Sequence, residues 1–499
     1  MNNIHFNNND LGKLKKHRIS LDDIDKQISK FIKGSPFSDL VKPATTLSGI
    51  SKLNSFNKEE LLSLYDIVVE SDRISKFVPA SGAATRMFKD LLEFYYSDYK
   101  NINDKCEEVF SEINNFPFYD DLKKTLFDDG HNINELLKDK NYQLILKYLL
   151  FEKGLNYSNL PKGLLKFSKY EDNSITALEE HFFEGIDYAS DQNNKIKIHF
   201  TVSEEHLNDF EKLVKELQNK FLSDYTFDVT FSTQKPSTDT LAVDENNEPF
   251  RDNNNEIVLR PGGHGALIHN LNSLNADILF IKNIDNVQSG NNNLSLYKKL
   301  LAGILLKNQS KIFKHVDMLQ KKNSADLTEI ESFIINDLNI SLHVDYTNKT
   351  TEEKIDHLLS LLIRPIRVCG MVQNTGAPGG GPFFVRKNDD ISLQIVESSQ
   401  IDLTKEDQKK IFESSTHFNP VDIVCALKDK DGDSFNLLNY IDQDTYFISN
   451  KSVDGKPLKA LELPGLWNGA MAEWITIFVE VPLETFTPVK TVNDLLHNS

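Results

Sequence analysis

Apolar residues recur along this chain at two periods, and the alternation between them predicts the order of its elements. Leu61, Tyr65 and Val68 fall at helical spacing behind Asn57, a residue type suited to capping a helix start. Phe77-Val78-Pro79 then runs into Ser81-Gly82-Ala83-Ala84, which reads as a strand feeding a tight turn and a helix from Thr85. Ile196, Ile198, Phe200 and Val202 alternate with polar residues over one strand length, and Leu207, Phe210, Leu213 and Leu217 predict the helix after it. Ile278-Leu279-Phe280-Ile281 is an unbroken apolar run of buried-strand type that ends in Asn283-Ile284-Asp285-Asn286. Tyr297, Leu300, Leu301 and Ile304 restore the helical period. Short strands are expected at 383–386 and 393–397, and Ile475, Ile477, Val479 and Val481 predict one more.

Strands alternating with helices imply an α/β fold with mostly parallel strands, whose ligands bind beyond the strands' carboxyl ends. Four stretches have that context: 79–89, 260–268, 282–287 and 395–400. Residues 1–70 read as a polar leader and helical extension, and 71–499 as one α/β domain enlarged by helical insertions at about 91–155 and 291–365. The basic run at Lys13, Lys15, Lys16, His17 and Arg18 reads as a solvated leader, since one short charge run usually marks a wet surface.

Composition narrows the classes. Hydrophobic content of 39% with 32 Phe excludes wholesale disorder. A formal net charge of −18, from 56 Lys+Arg against 74 Asp+Glu, argues against a nucleic-acid surface, though not against a small anion held by a few local cations. Cys106, Cys369 and Cys425 follow no metal or disulfide spacing, and no run of about 18 apolar residues occurs. The expectation is a soluble cytoplasmic protein with no membrane partner.

Several residues have chemistry to offer, each beside a plainer reading. Ser81, Gly82, Ala83 and Ala84 are small enough for backbone to approach an anion, with Arg86 as a nearby cation, or they form an ordinary βα turn. Lys162 lies between Pro161 and Gly163 on a non-helical loop, and the plain alternative is a surface lysine. Gly262, Gly263 and Gly265 in RPGGHGALI would let backbone lie against a flat ring, or simply lead into a helix. Asp285, just after a buried strand, is costly as an ionised group unless paired. A Mg²⁺ ion, which takes one or two carboxylates plus phosphate oxygens, would remove that cost, as would a turn-capping role. Glu397 suits sugar hydroxyls or an arginine, and Lys490 suits a phosphate.

The order of these motifs carries a resemblance. PASGAATR resembles the LAGGQGTR signature of sugar-nucleotide pyrophosphorylases, LPKGLL their PKG segment, and IKIHFTVSEEH their MTS strand. FSTQKPSTDTLAVD, with Gln234 and Pro236, is similar to their Gln and Pro segment, RPGGHGALI to PDGNGGLY, IKNIDNV to VDN, QIVESSQI to VVEYSEI, and FTPVK to FSPVK. The nearest group is the eukaryotic-type UDP-N-acetylglucosamine and UDP-sugar pyrophosphorylases, over most of residues 75–490. The chain is also similar to a bacterial family known only as a domain of unknown function.

The resemblance implies a nucleotidyltransferase of glycosyltransferase-A-like, Rossmann-like fold with a mixed, mostly parallel central sheet. It would form a nucleotide sugar and pyrophosphate from a nucleoside triphosphate, UTP by resemblance, and a sugar 1-phosphate, with Mg²⁺ as cofactor. Gly82 with the Ser81, Ala83 and Ala84 backbone would cradle the triphosphate, while Arg86 and Lys162 would hold the leaving pyrophosphate. Gln234 and Gly263 would contact the base, Asp285 the metal, His264 and Glu397 the sugar, and Lys490 its phosphate. Ser81 and Ala84 replace the family's glycines, Gly262 its Asp, His264 its Asn and Gln400 a Glu. GAPGGGPFFV and LPGLWNGAMAEW have no counterpart, although Trp467, Asn468, Glu473 and Trp474 are suited to shaping an acceptor pocket. The alternatives are a non-catalytic nucleotide or sugar-nucleotide binding protein and a glycosyltransferase on the same fold.

Overall fold

The computed structural model describes residues 6–71, 73–97, 102–170, 173–287, 292–321, 327–376, 379–453 and 455–497. It is mixed α/β, and the chain divides into two compact units, Met1–Val68 with Thr233–Phe280 and Lys299–Leu483, and Val69–Ser232 with Ile281–Lys298 and Glu484–Ser499. Ala377 and Pro378, in the glycine-rich segment without counterpart, lie outside the described residues.

In the larger unit, strands Ile50–Lys52, Ile475–Glu480, Ile366–Met371, Asp422–Ala426 and Ile278–Ile281 lie side by side in that order. The pairings of 475–480 with 50–52 and with 366–371 are parallel, and that of 366–371 with 422–426 is antiparallel. Residues 475–481 were expected to alternate. Instead Thr476 and Phe478 are buried along with Ile475, Ile477 and Val479, so both faces of this strand are covered, the condition under which a strand no longer needs to alternate. The helix Asn292–Gln320 carries Leu300, Leu301 and Ile304 at full burial, as its period predicts.

The polar start of the chain is not a solvated leader. Asn8–His17 is a helix with an Asn7–Asp10 capping box, followed by Leu21–Lys33 with a Ser20–Asp23 box. Leu14, Ile19, Ile24, Ile28 and Phe31 pack with Leu241, Val243, Ile257 and Tyr446 in one apolar cluster. Buried Asp10 is gripped by both terminal nitrogens of Arg251, at 3.0 and 2.7 Å, and Lys13 donates to the Ile257 carbonyl. Leu14 docks in this cluster and Asp10 is held by Arg251, so the adjacent lysines ride on a packed helix instead of a free tail.

The smaller unit has strands Ile74–Pro79, Lys195–Val202 and Thr226–Thr233 in that order, the first two parallel. Among the described residues of 89–150 there are five α-helices, from Lys89–Tyr96 to Tyr142–Leu150. The helix expected from Thr85 begins later. Ala84–Arg86 is a single 3₁₀ turn, closed by the Met87 N–H on the Ala84 carbonyl, and the α-helix starts at Lys89. Among the described residues no helix is long and apolar enough to cross a membrane.

Candidate active site

Four segments far apart in sequence meet within the smaller unit. The strand Ile74–Pro79 delivers the turn Ser81–Ala84, which pairs with the loop at Pro161: Ala84 N–H donates to Leu160 O at 3.1 Å and Lys162 N–H to Gly82 O at 3.2 Å. Ser81, Gly82 and Ala83 are exposed, and their N–H groups make no hydrogen bond to described residues. A Cβ added at Gly82 would meet nothing within 4 Å, so the turn faces open space. Unbonded, exposed N–H groups in such a turn are donors whose hydrogen bonds an anion could accept. Of the backbone expected to cradle a triphosphate, the Ala84 N–H is already committed; the other three remain.

Gly163 explains why the lysine loop is rigid. A Cβ there would stand 2.8 Å from the Phe210 ring, so only glycine lets the loop close on the helix Leu207–Phe221. The closed loop aims Lys162 at the strand end that carries Asp285: Lys162 Nζ donates to Asp285 Oδ2 at 2.8 Å and to the Val489 carbonyl at 2.7 Å. The Val489 N–H returns to the Asp285 carbonyl at 2.8 Å. Lys162 and Asp285 side chains are 13% and 25% exposed, so the pair is shielded yet reachable. Lys490, next in the chain, is exposed with its ammonium 5.4 Å from the Phe486 ring centroid. Arg86 is exposed and lines an open groove of about 570 Å³ with Thr85, Lys89, Leu92 and Tyr96.

The cost of an unpaired carboxylate at Asp285, which a metal would remove, is already removed by Lys162. Among the described residues no group of three or more His, Cys, Asp and Glu is arranged to hold an ion. Asp285 Oδ1 has no hydrogen-bond partner among them. One open carboxylate oxygen fits an ion that arrives with phosphate oxygens and keeps waters, the usual habit of Mg²⁺, and does not make a preformed cage.

Beneath this surface lies a buried charge cluster. Glu184, on the helix Ala177–Ala189, accepts from Lys76 Nζ at 2.5 Å and from the Tyr188 hydroxyl at 3.0 Å, with Lys298 Nζ at 3.2 Å and Lys282 Nζ at 3.6 Å. Burial acts to raise the Glu184 carboxyl, but the three ammonium groups overcome it and hold it well below the usual range. Burial pushes Lys76 down to about 8. None of these residues stood out in the sequence; the one signal was a lysine inside an apolar strand, at ISKFVP.

Two buried histidines of this unit predict an acid-sensitive fold. Burial pushes His181 down to about 4, helped by the Lys76 charge, and burial alone does the same to His199. Their stabilisation is complete above the ordinary imidazole value of 6.5 and is lost as pH falls through about 4, because the unfolded chain takes up protons that the native state refuses. Each contributes on the order of 3 kcal/mol. The urea midpoint is expected to fall between pH 6.5 and 4, and His181→Phe to make that fall shallower. An equally steep fall in the variant would contradict this account.

The remaining predicted residues lie in the larger unit. Gln234 donates to Thr238 Oγ1 at 3.3 Å. The glycines of RPGGHG are close-approach positions: a Cβ on Gly262 would stand 2.5 Å from Thr238 O, and one on Gly265 2.5 Å from Pro464 O. Gly263 has φ +71°, with the Glu462 carboxylate 2.4 Å from an added Cβ. Gly262 and Gly265 therefore pack in part against Leu463 and Pro464, at the start of the segment without counterpart, and Gly263 against Glu462 just before it. His264 is exposed, and its ring centroid lies 5.8 Å from that of Trp467. Buried Arg367 holds that tryptophan by a 2.5 Å bond from Nη1 to its carbonyl. Glu397 accepts from Asn419 Nδ2 at 3.0 Å, not from an arginine, and burial pushes its carboxyl up. Its N–H donates to Gln400 Oε1, which also accepts from Asn468, so the 395–400 and 260–268 stretches are joined through Trp467-Asn468.

No curated protein matches the sequence. Similar solved structures include the uridine diphosphate N-acetylglucosamine pyrophosphorylase from Trypanosoma brucei, at 13% identity, 99% of this chain against 80% of that one, and TM-score 0.48. Another is the UDP-glucose pyrophosphorylase from Leishmania major, at 13% identity, 97% of this chain against 77% of that one, and TM-score 0.47. Over residues 7–499 the sequence matches the family described as "Domain of unknown function (DUF4301)", and the chain belongs to that family.

Proposed function

We propose that this protein is a nucleotidyltransferase that joins a nucleoside triphosphate, UTP by resemblance, to a sugar 1-phosphate and releases pyrophosphate. The observation that carries the reading is the run of three unbonded N–H groups at Ser81, Gly82 and Ala83, opening beside the Lys162–Asp285 pair. In this reaction an oxygen of the sugar phosphate attacks the α-phosphorus, a new P–O bond forms, and the bond to the β-phosphate oxygen breaks. No proton has to move at the reacting atoms, so the site needs placement and positive charge more than an acid or base.

The chain's residues supply both. The Ser81–Ala83 N–H groups would hold the triphosphate oxygens, Lys162 and Arg86 would take the charge that gathers on pyrophosphate, and Lys490 would neutralise the sugar phosphate. Asp285 would hold Mg²⁺ through Oδ1, and the ion would supply charge neutralisation of the triphosphate. In the larger unit the reading gives a base contact to Gln234 and Gly263 and a sugar contact to His264 and Glu397. Support for the latter is the exposed His264 ring beside Trp467 and the hydrogen bonds that tie Glu397 to the same segment.

The test is pyrophosphate release, with each of the four common nucleoside triphosphates, a panel of sugar 1-phosphates and Mg²⁺. Turnover by at least one pair, lost in Asp285→Ala, is expected. If no pair exceeds the Asp285→Ala background, the enzyme reading fails, and calorimetric binding without turnover would leave the non-catalytic binding protein in its place.

A further inference from the structure

The residues that place the Lys162 ammonium are not those that would touch phosphate. Residues 486–490 have neither helix nor strand, and such a segment has no ladder of its own to hold it. It is nevertheless bonded at each step within the smaller unit. The Asn286 side chain accepts from the Thr487 N–H at 3.0 Å and donates to the Thr485 carbonyl at 3.5 Å. Two residues on, the Val489 N–H bonds the Asp285 carbonyl, and the Val489 carbonyl receives Lys162. Beyond that, the Asp494 carboxylate accepts the Lys490 and Thr491 N–H groups at 2.8 and 2.7 Å, and the Val492 N–H bonds the Met87 carbonyl. Asn493 reaches the inserted helix Asp104–Ser111 at the Lys105 carbonyl and Glu108.

We propose that Asn286 is a positioning residue: its buried amide pairs with the 485–487 backbone as a neighbouring strand would, and so fixes the Val489 carbonyl that aims Lys162. The proposal rests on the reading of Lys162 as a phosphate-binding cation. Asn286 adjoins Asp285, so one two-residue stretch sets both acceptors of the lysine: the carboxylate directly, and the carbonyl through the strap it grips. Without the amide, the strap keeps its ties at Asp285, Asp494 and Met87 but loses its upstream anchor, so the Val489 carbonyl, held by its own N–H bond alone, restrains the Lys162 ammonium less firmly.

Two measurements on the full chain separate this role from a structural one. The first is the rate at which Lys162 is acylated by an amine-reactive ester, read by peptide mass spectrometry with no ligand present. Asn286→Ala is expected to raise it about fivefold, the loss of roughly one hydrogen bond's worth of restraint. Asn286→Asp, which keeps the acceptor for Thr487 and loses the donor to Thr485, should fall between and serves if the alanine variant does not fold. An unchanged rate in the folded variant overturns the proposal. The second is calorimetric binding of inorganic pyrophosphate: Asn286→Ala should weaken it about fivefold in the wild-type background and not at all in Lys162→Met, whereas equal weakening in both backgrounds would mean a general structural effect and overturn the role. Failure of the wild-type chain to bind pyrophosphate would defeat the functional reading, while the acylation rate would still decide the positioning of Lys162.

Discussion

Replacing Glu184 by glutamine is expected to cost about 3–5 kcal/mol of folding stability, read as a lowered urea midpoint at pH 7. Lys76 and Glu184 are fully buried, Lys282 and Lys298 nearly so, and the carboxylate lies within 3.6 Å of all three ammonium groups. Glutamine preserves volume and some hydrogen bonding but removes the negative charge, leaving clustered cations out of water. The loss has a pH signature. Lys76 is already pushed down to about 8 by burial, and without Glu184 the native state would shed lysine protons more readily still. The unfolded chain keeps them up to the ordinary lysine value of 10.5, so the variant's stability should rise with pH from 7 toward 10. A loss under about 1 kcal/mol, or one that does not shrink as pH rises, would mean that the cluster is neutralised in some other way. The consequence for function is local: Lys76 lies on the strand that delivers the Ser81 turn and Lys282 on the segment leading to Asp285, so one carboxylate ties together the supports of both.

Lys162→Met should separate chemistry from folding. If Lys162 takes up charge on the departing pyrophosphate, its removal should lower the rate of pyrophosphate release about 10²–10³-fold, the usual effect of losing one preorganised charge-stabilising group. The stability cost should stay within about 1 kcal/mol, because Asp285 is one-quarter exposed and water can replace the ammonium. Methionine keeps most of the side-chain length, so packing at Pro161 and Gly163 should persist. A rate within threefold of wild type would remove Lys162 from the reaction.

Much of the scaffold was legible because burial is written locally. The helical period of Leu61, Tyr65 and Val68, the apolar run 278–281 and the helix bearing Leu300, Leu301 and Ile304 all appear where the pattern puts them. Misreadings arose where polar residues share an element with docking ones. The Asn- and Lys-rich first helix looked like a wet tail because only Leu14 and Asp10 of its residues are buried. The glycines of RPGGHG suggested a ring-binding surface, but three of their nearest neighbours belong to the 462–464 segment some two hundred residues away.

By itself the sequence determined the α/β class, the strand ends worth inspecting and the residue types available there, because periodicity and turn chemistry act over a few residues. Tertiary structure decided what those residues meet. Lys162 and Asp285, 123 positions apart, became each other's partners, and the carbonyl that completes the lysine's shell comes from Val489, 327 positions from it. The buried Glu184 cluster likewise draws on separate strands and helices. Charge pairing depends on distances of a few ångströms between segments that only packing brings together, and no local pattern encodes them.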